Sequence, residues 1–202
     1  MRFDARPTER DSLLIKAFQE GNREAFDGLV LKHKDRVFNL CYWFLGDYQE
    51  ANDIAQETFI KVFRSLKAFR FESAFTTWLY RIAVNTCRNR LKSAEYRRKR
   101  KMVRIDNPGE ENPSGPHSEL KDESLSPLNS LERKEKIMAI REAIHSLPGI
   151  QKEVVTLRDI EGFSYEEIAQ VTGLNLGTVK SRLARARLDL KERLRSVINY
   201  GV

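Results

Sequence analysis

Three groups of side chains in this 202-residue sequence have the types and spacing for chemistry. The first is a carboxylate pair, Asp53 and Glu57, which any helix would place on one face. Paired carboxylates can bind a metal ion or act as acid and base. No His, Cys or third carboxylate stands at a spacing that completes such a centre, so the pair reads as a solvated face or a docking face, with Gln56, Ile60 and Arg64 beside it. The second group interleaves aromatics, cations and hydroxyls. Phe69, Arg70, Phe71, Glu72 and Ser73 lead into a helical line of Thr77, Arg81, Asn85, Arg88 and Lys92. Flat rings beside cations offer unpaired bases a stacking surface and phosphate neutralisation. An aromatic core with a charged outer face is the other reading. The third group is Thr178, Lys180, Ser181, Arg182, Ala184 and Arg185, a small, polar and cationic helix face suited to base edges in a major groove. An ordinary solvated helix is its plain alternative.

The third group has the clearest positioning elements. Ser164 with Glu167 makes a capping box for a short helix, and Gly173 supplies its stop. Asn175 then caps a helix from Leu176 to about Leu194, whose Leu176, Val179, Leu183, Leu190 and Leu194 form an apolar stripe. Two helices joined by so short a turn predict a helix-turn-helix. Upstream, a helix from Leu131 to about Ser146 carries Ile137, Ile140 and Ile144. The Leu147-Pro148-Gly149 break follows, then a helix with Val154, Val155 and Leu157 that ends near Glu161-Gly162. Gly162, Gly173 and Gly177 read as backbone requirements.

The first half is helical throughout. Asp11 or Ser12 is the expected cap of a first helix through Phe18. A second runs from about Arg23 to Leu45 and stops at Gly46; His33 on its apolar line reads as a packed residue, not a ligand. Asp47 and Glu50 start a third helix, Tyr48 to about Leu66, expected to bury Ala51, Ile54, Ala55, Phe59, Val62, Phe63 and Leu66. A fourth buries Phe75, Leu79, Ile82, Ala83 and Thr86. The basic run Tyr96–Lys101 and the Pro-, Gly-, Ser- and acid-rich stretch Asp106–Pro127 hold too few apolar residues for a core and read as a flexible linker. The basic run either extends the first half's nucleic-acid surface or is a solvated helix end. The acidic stretch either threads a cationic channel or keeps two domains apart. The expected fold is all-α: a helical domain in 1–95, a flexible linker in 96–130, and a helix-turn-helix domain in 131–202.

Net charge is +7, unevenly spread: residues 1–105 hold 22 Lys and Arg against 13 acids, residues 106–130 one Lys against six acids, and residues 131–202 13 against 10. Such a balance favours a polyanionic partner. Cys41 and Cys87 fall in helical patterns without metal-site spacing and read as buried reduced thiols. No apolar signal core or membrane-length run is evident, so a cytoplasmic location is expected.

Asp53-Ile54-Ala55-Gln56-Glu57-Thr58-Phe59 followed by Phe75-Thr76-Thr77-Trp78-Leu79-Tyr80-Arg81-Ile82-Ala83-Val84-Asn85-Thr86 resembles the second conserved region of bacterial extracytoplasmic-function sigma factors. Leu147-Pro148, Gly162-Phe163-Ser164-Tyr165-Glu166-Glu167-Ile168-Ala169 and Gly177-Thr178-Val179-Lys180-Ser181-Arg182 resemble their fourth. Leu176 stands where many members have proline. The resemblance implies that Asp53, Gln56, Glu57 and Ile60 bind the coiled-coil clamp of core RNA polymerase. It implies that Phe69, Arg70, Phe71 and Ser73 with Thr77, Arg81, Asn85, Arg88 and Lys92 recognise and help open the −10 promoter element, one non-template base entering a pocket near the loop. Thr178, Lys180, Ser181, Arg182, Ala184 and Arg185 would read the −35 duplex. It further implies an anti-sigma factor, often a membrane protein, as inhibitor. No catalytic residue, cofactor, metal ion or small-molecule substrate is expected. The rival reading is a one-component helix-turn-helix regulator acting without polymerase, with a ligand pocket or dimer surface in residues 8–95. A nuclease would need a carboxylate or His cluster that the sequence does not offer.

Overall fold

The computed structural model describes residues 9–93 and 127–195, with side chains from 136 onward in the second segment. The basic run Tyr96–Lys101 and the acidic linker stretch before Pro127 lie outside the described residues. The described backbone is helical without strands: α1 Glu9–Gln19, α2 Ala25–Leu45, α3 Tyr48–Ser65, a 3₁₀ turn Leu66–Ala68, α4 Phe75–Lys92, α5 Pro127–His145, α6 Gly149–Val155 with a π-type turn Thr156–Ile160, α7 Tyr165–Thr172 and α8 Leu176–Arg193.

Local chemistry sets most boundaries. Gly46 ends α2 at φ 75°, where its N–H reaches the Tyr42 carbonyl. Asp47 caps α3 by accepting from the Glu50 N–H at 2.8 Å. Pro127 opens α5, since the first turn of a helix does not need its missing N–H. Asp11 departs from expectation. It lies inside α1, 2% exposed, and accepts from Lys32 Nζ at 2.7 Å and pairs with His33 Nε2 at 3.3 Å. A buried carboxylate needs such partners, so Asp11 ties α1 to α2 instead of capping.

The first half packs α1 and α4 against α2 and α3. Leu29, Val37, Leu40, Ala51, Val62, Leu66 and Leu79 are shielded from solvent. Phe63, expected in the core, is 40% exposed; its ring edge meets Phe18 and Phe26 at centroid distances of 5.2 and 5.1 Å. Thr58 is buried in its helix instead, its hydroxyl donating to the Ile54 carbonyl. In the second half, α5 buries Ile144 while Ile140 is 38% exposed, and Val154, Val155, Leu157, Phe163, Ile168, Val171, Val179, Leu183 and Ala186 form the centre.

The two halves do not stand apart. Their buried side chains run together into one continuous apolar cluster, joined chiefly where α4 meets α7 and where α5 crosses α2. Tyr80 of α4 lies 4.8 Å ring to ring from Phe163, and its hydroxyl donates to Glu161 Oε2 at 2.7 Å. Burying two such rings is worth about 1.5–3 kcal/mol each before the cost of ordering them. Arg141 lies over the Tyr42 ring at 4.5 Å and donates to its hydroxyl at 3.1 Å. α6 starts exposed at Gly149 and Ile150 and is enclosed from there on, with even Gln151, Lys152 and Glu153 each 7% exposed. Polar residues buried along one short helix mark a joint between two units more than the centre of one.

Candidate nucleic-acid interface

The helix-turn-helix forms as its caps dictate. Ser164 Oγ accepts from the Glu167 N–H at 3.1 Å while the Glu167 carboxylate accepts from the Ser164 N–H at 2.7 Å. Gly173 turns the chain at φ 74°, and Asn175 Oδ1 accepts from the Thr178 N–H at 2.7 Å. α8 begins at Leu176 without a proline. Of the three glycines marked as backbone requirements, Gly162 and Gly173 have positive φ; Gly177 does not, and sits in the first turn of α8.

The two faces of α8 separate cleanly. Val179, Leu183 and Ala186 are buried, while Lys180, Ser181, Ala184, Arg185 and Leu188 form an exposed stripe. Thr178 and Arg182 are half-buried at its margins. Small residues at 181 and 184 leave room for close approach, and the flanking cations carry the charge. Lys180 Nζ stands 6.0 Å above the Tyr165 ring, which steadies it, and Arg187 pairs with Asp159 at 2.5 Å.

On α3, Asp53, Gln56, Glu57 and Ile60 are all exposed on one side, Ile60 at 51%. Glu57 already pairs with Lys61 at 2.7 Å, an i,i+4 contact worth about 0.3–0.5 kcal/mol in water and easily exchanged. Among the described residues no three His, Cys, Asp or Glu side chains are grouped so as to hold a metal ion.

The second group is only partly brought together. Arg81, Asn85 and Lys92 are exposed along α4, and Arg70 and Phe71 are exposed in the loop, with Ser73 half-buried. Phe71 is held at φ 59°, the left-handed region that a bulky residue rarely occupies. Three expected members are placed otherwise. Phe69 is 7% exposed, its ring at 5.0 Å from both Phe71 and Trp78 and 6.0 Å from Phe75. It supports the loop from beneath and offers no open stacking face. Thr77 is 3% exposed, because the first turn of α4 is buried on that side as well. Arg88 faces the second half. Its guanidinium donates to Glu153 Oε1 at 2.8 Å and Oε2 at 2.5 Å and to the Thr172 carbonyl at 3.1 Å. The carboxylate keeps Arg88 firmly protonated despite its partial burial.

Sequence reasoning missed this joint and the residues that make it: Tyr80, Arg141, Glu153, Glu161 and Phe163. Burial, then the Glu161 charge, pushes the Tyr80 phenol well above its ordinary range, so it remains a donor. Burial raises the Glu161 carboxyl, against the opposing pull of the Tyr80 hydroxyl and the Arg36 charge.

Comparison with known proteins matches residues 29–97 to Sigma-70 region 2 and residues 137–190 to Sigma-70, region 4. The RNA polymerase sigma-H factor of Pseudomonas aeruginosa is 41% identical over 190 residues, covering 94% of this chain and 96% of that protein. The chain belongs to the ECF family of RNA polymerase sigma factors. The ECF RNA polymerase sigma-E factors of Haemophilus influenzae and Escherichia coli K12 are each 37% identical, covering 93% of this chain and 97% and 96% of theirs. Among solved structures, CnrH in complex with the cytosolic domain of CnrY aligns with a TM-score of 0.64 at 24% identity, covering 93% of this chain and 99% of that one. The sigma factor RpoE in complex with the anti-sigma factor NepR from Bartonella quintana aligns at 0.62 and 24%, covering 84% and 96%. These two share the fold. With both sigma regions matched in order and the full-length relatives sigma factors, the one-component regulator is set aside. No helix among the described residues is long and apolar enough to cross a membrane.

Proposed function

We propose that residues 1–95 dock this sigma factor on core polymerase and help open the −10 element, and that residues 131–202 read the −35 duplex. The observation that carries the assignment is the exposed stripe Lys180, Ser181, Ala184 and Arg185 on a helix capped by Asn175, opposite its buried face. That stripe matches what a recognition helix needs: donors to base edges, with small side chains between them. Thr178 and Arg182 flank it and are assigned to the neighbouring phosphates. Asp53, Gln56, Glu57 and Ile60 form the polymerase face, mixing two acids with one exposed apolar side chain. Arg70, Phe71 and Ser73, continued by Arg81, Asn85 and Lys92, take the −10 strand. Phe69 and Thr77 support that surface from inside, and Arg88 joins it only when the halves separate.

The protein acts as a transcription factor and not as an enzyme, works in the cytoplasm, and is held inactive by an anti-sigma factor. The joint between the halves supports that last reading, since an inhibitor that favours the closed arrangement withholds Arg88 from DNA. The polymerase assignment is tested by replacing Asp53 and Glu57 with Lys. The variant loses assembly with core polymerase in gel filtration while keeping its helical circular dichroism. Normal assembly by that variant would refute the docking face.

A further inference from the structure

We infer that Cys41 and Cys87 form an oxidisable dithiol, a modification site for hydroperoxides that the closed joint between the two halves keeps covered. The cysteines come from α2 and α4 and lie far apart in sequence, yet their sulfurs stand 3.7 Å apart, Cys87 Sγ donating to Cys41 Sγ. Both are free thiols and fully shielded. A disulfide needs about 2.0 Å between sulfurs, so the remaining gap closes with a modest shift of two packed helices.

Each cysteine is followed in sequence by a residue of the joint. Cys41 adjoins Tyr42, which holds Arg141 of α5, and Cys87 adjoins Arg88, which holds Glu153 of α6. The hydrogen bond to Cys41, and then burial, push the Cys87 thiol well above its ordinary range. A shielded thiol in that state is inert, so reaction waits for the halves to part and admit water and oxidant.

The step is balanced with a hydroperoxide as oxidant. One cysteine, as thiolate, attacks the peroxide oxygen. The O–O bond breaks, the alcohol or water leaves, and a sulfenic acid forms. The second sulfur attacks the first, the S–O bond breaks, and water leaves. Two thiols become one disulfide and the peroxide is reduced. The bond ties α2 to α4 one residue from both Tyr42 and Arg88, so the chain records chemically that its halves have been apart.

The test treats the full chain with hydrogen peroxide at neutral pH, alkylates remaining thiols, and reads the intact mass over time. The wild type is expected to lose two hydrogens slowly, with both cysteines then protected from alkylation until dithiothreitol is added. Glu153→Gln, which removes the charged partner of Arg88, should oxidise roughly tenfold faster or more, the factor expected for one charge-assisted hydrogen-bonded contact. Glu161→Gln, which mimics the neutral carboxyl that closure favours opposite Tyr80, should instead oxidise more slowly than the wild type, and serves as the second probe should the first variant lose its helical circular dichroism. Cys41→Ser and Cys87→Ser should form no intramolecular bond. Thiols that remain free in the wild type and both Gln variants would overturn the proposal, as would over-oxidation of one sulfur without a disulfide. Equal rates in the wild type and both Gln variants would overturn the covering role of the joint.

Discussion

On the proposed −35 assignment a single guanidinium decides most at the residue scale. Arg185 projects from the exposed stripe of α8, where one good bidentate contact to a base is worth about 1–3 kcal/mol. Arg185→Ala should therefore lower transcription from a cognate promoter by roughly tenfold to a hundredfold, with polymerase binding unchanged in a pull-down. Loss of polymerase binding would contradict the division of labour. Gly46 makes a structural counterpart. A Cβ there would come 2.5 Å from His145 Nε2, at a φ of 75°. Gly46→Ala should thus cost about 1–2 kcal/mol, from left-handed strain and displacement of the imidazole, seen as a lower denaturation midpoint. The conformational need of Gly46 was legible in the sequence, as were the Ser164, Asn175 and Asp47 caps, because each acts within a few residues. Its contact with His145 was not legible, because that neighbour comes from the other half. Asp11 was misread for the same reason: its partners Lys32 and His33 lie on the next helix.

At the scale of elements, α4 shows where helical periodicity stops informing. Its exposed line of Arg81, Asn85 and Lys92 was legible from spacing alone. Tyr80 and Val84 are also buried, because α4 is covered on one side by its own bundle and on another by α7. A sequence period reports one buried face and cannot report a second contributed by a distant unit. α8 has one buried face: of its expected stripe Val179 and Leu183 are buried, Leu176, Leu190 and Leu194 are half-buried, and Ala186 was missed. The joint also predicts a pH dependence. Glu161 has a raised pKa when the halves are closed, and opening returns it to water and its ordinary value. The closed state therefore binds the proton more tightly. Closure is favoured most below the ordinary carboxyl range and weakens as pH rises through the raised value. Distance distributions between spin labels on α1 and α8 should shift to longer separations across that interval. Glu161→Gln should abolish the shift, and a shift persisting in that variant would assign it to another group.

For the whole molecule, the account turns on two halves that touch through a joint of mixed character. Tyr80 on Phe163 supplies apolar contact, while Arg88–Glu153, Tyr80–Glu161 and Arg141–Tyr42 supply polar contacts that water can replace. Such a joint can open at modest cost, as a chain that must place two DNA-reading surfaces on one promoter requires. Neither half is equipped to open a duplex unaided. Unpairing costs about 1.4 kcal/mol per base-pair step, and stacking a freed base on one aromatic returns about 1–3 kcal/mol. On the proposed −10 assignment several steps exceed what Phe71 and its neighbours can repay, so polymerase must hold both halves and add its own contacts. The most direct test is run-off transcription with purified bacterial core polymerase, with and without this chain, on promoter fragments from its own genome. The account predicts transcripts that depend on the chain and start at defined promoters. Tight duplex binding by the chain alone, with no transcripts in the presence of polymerase, would contradict it.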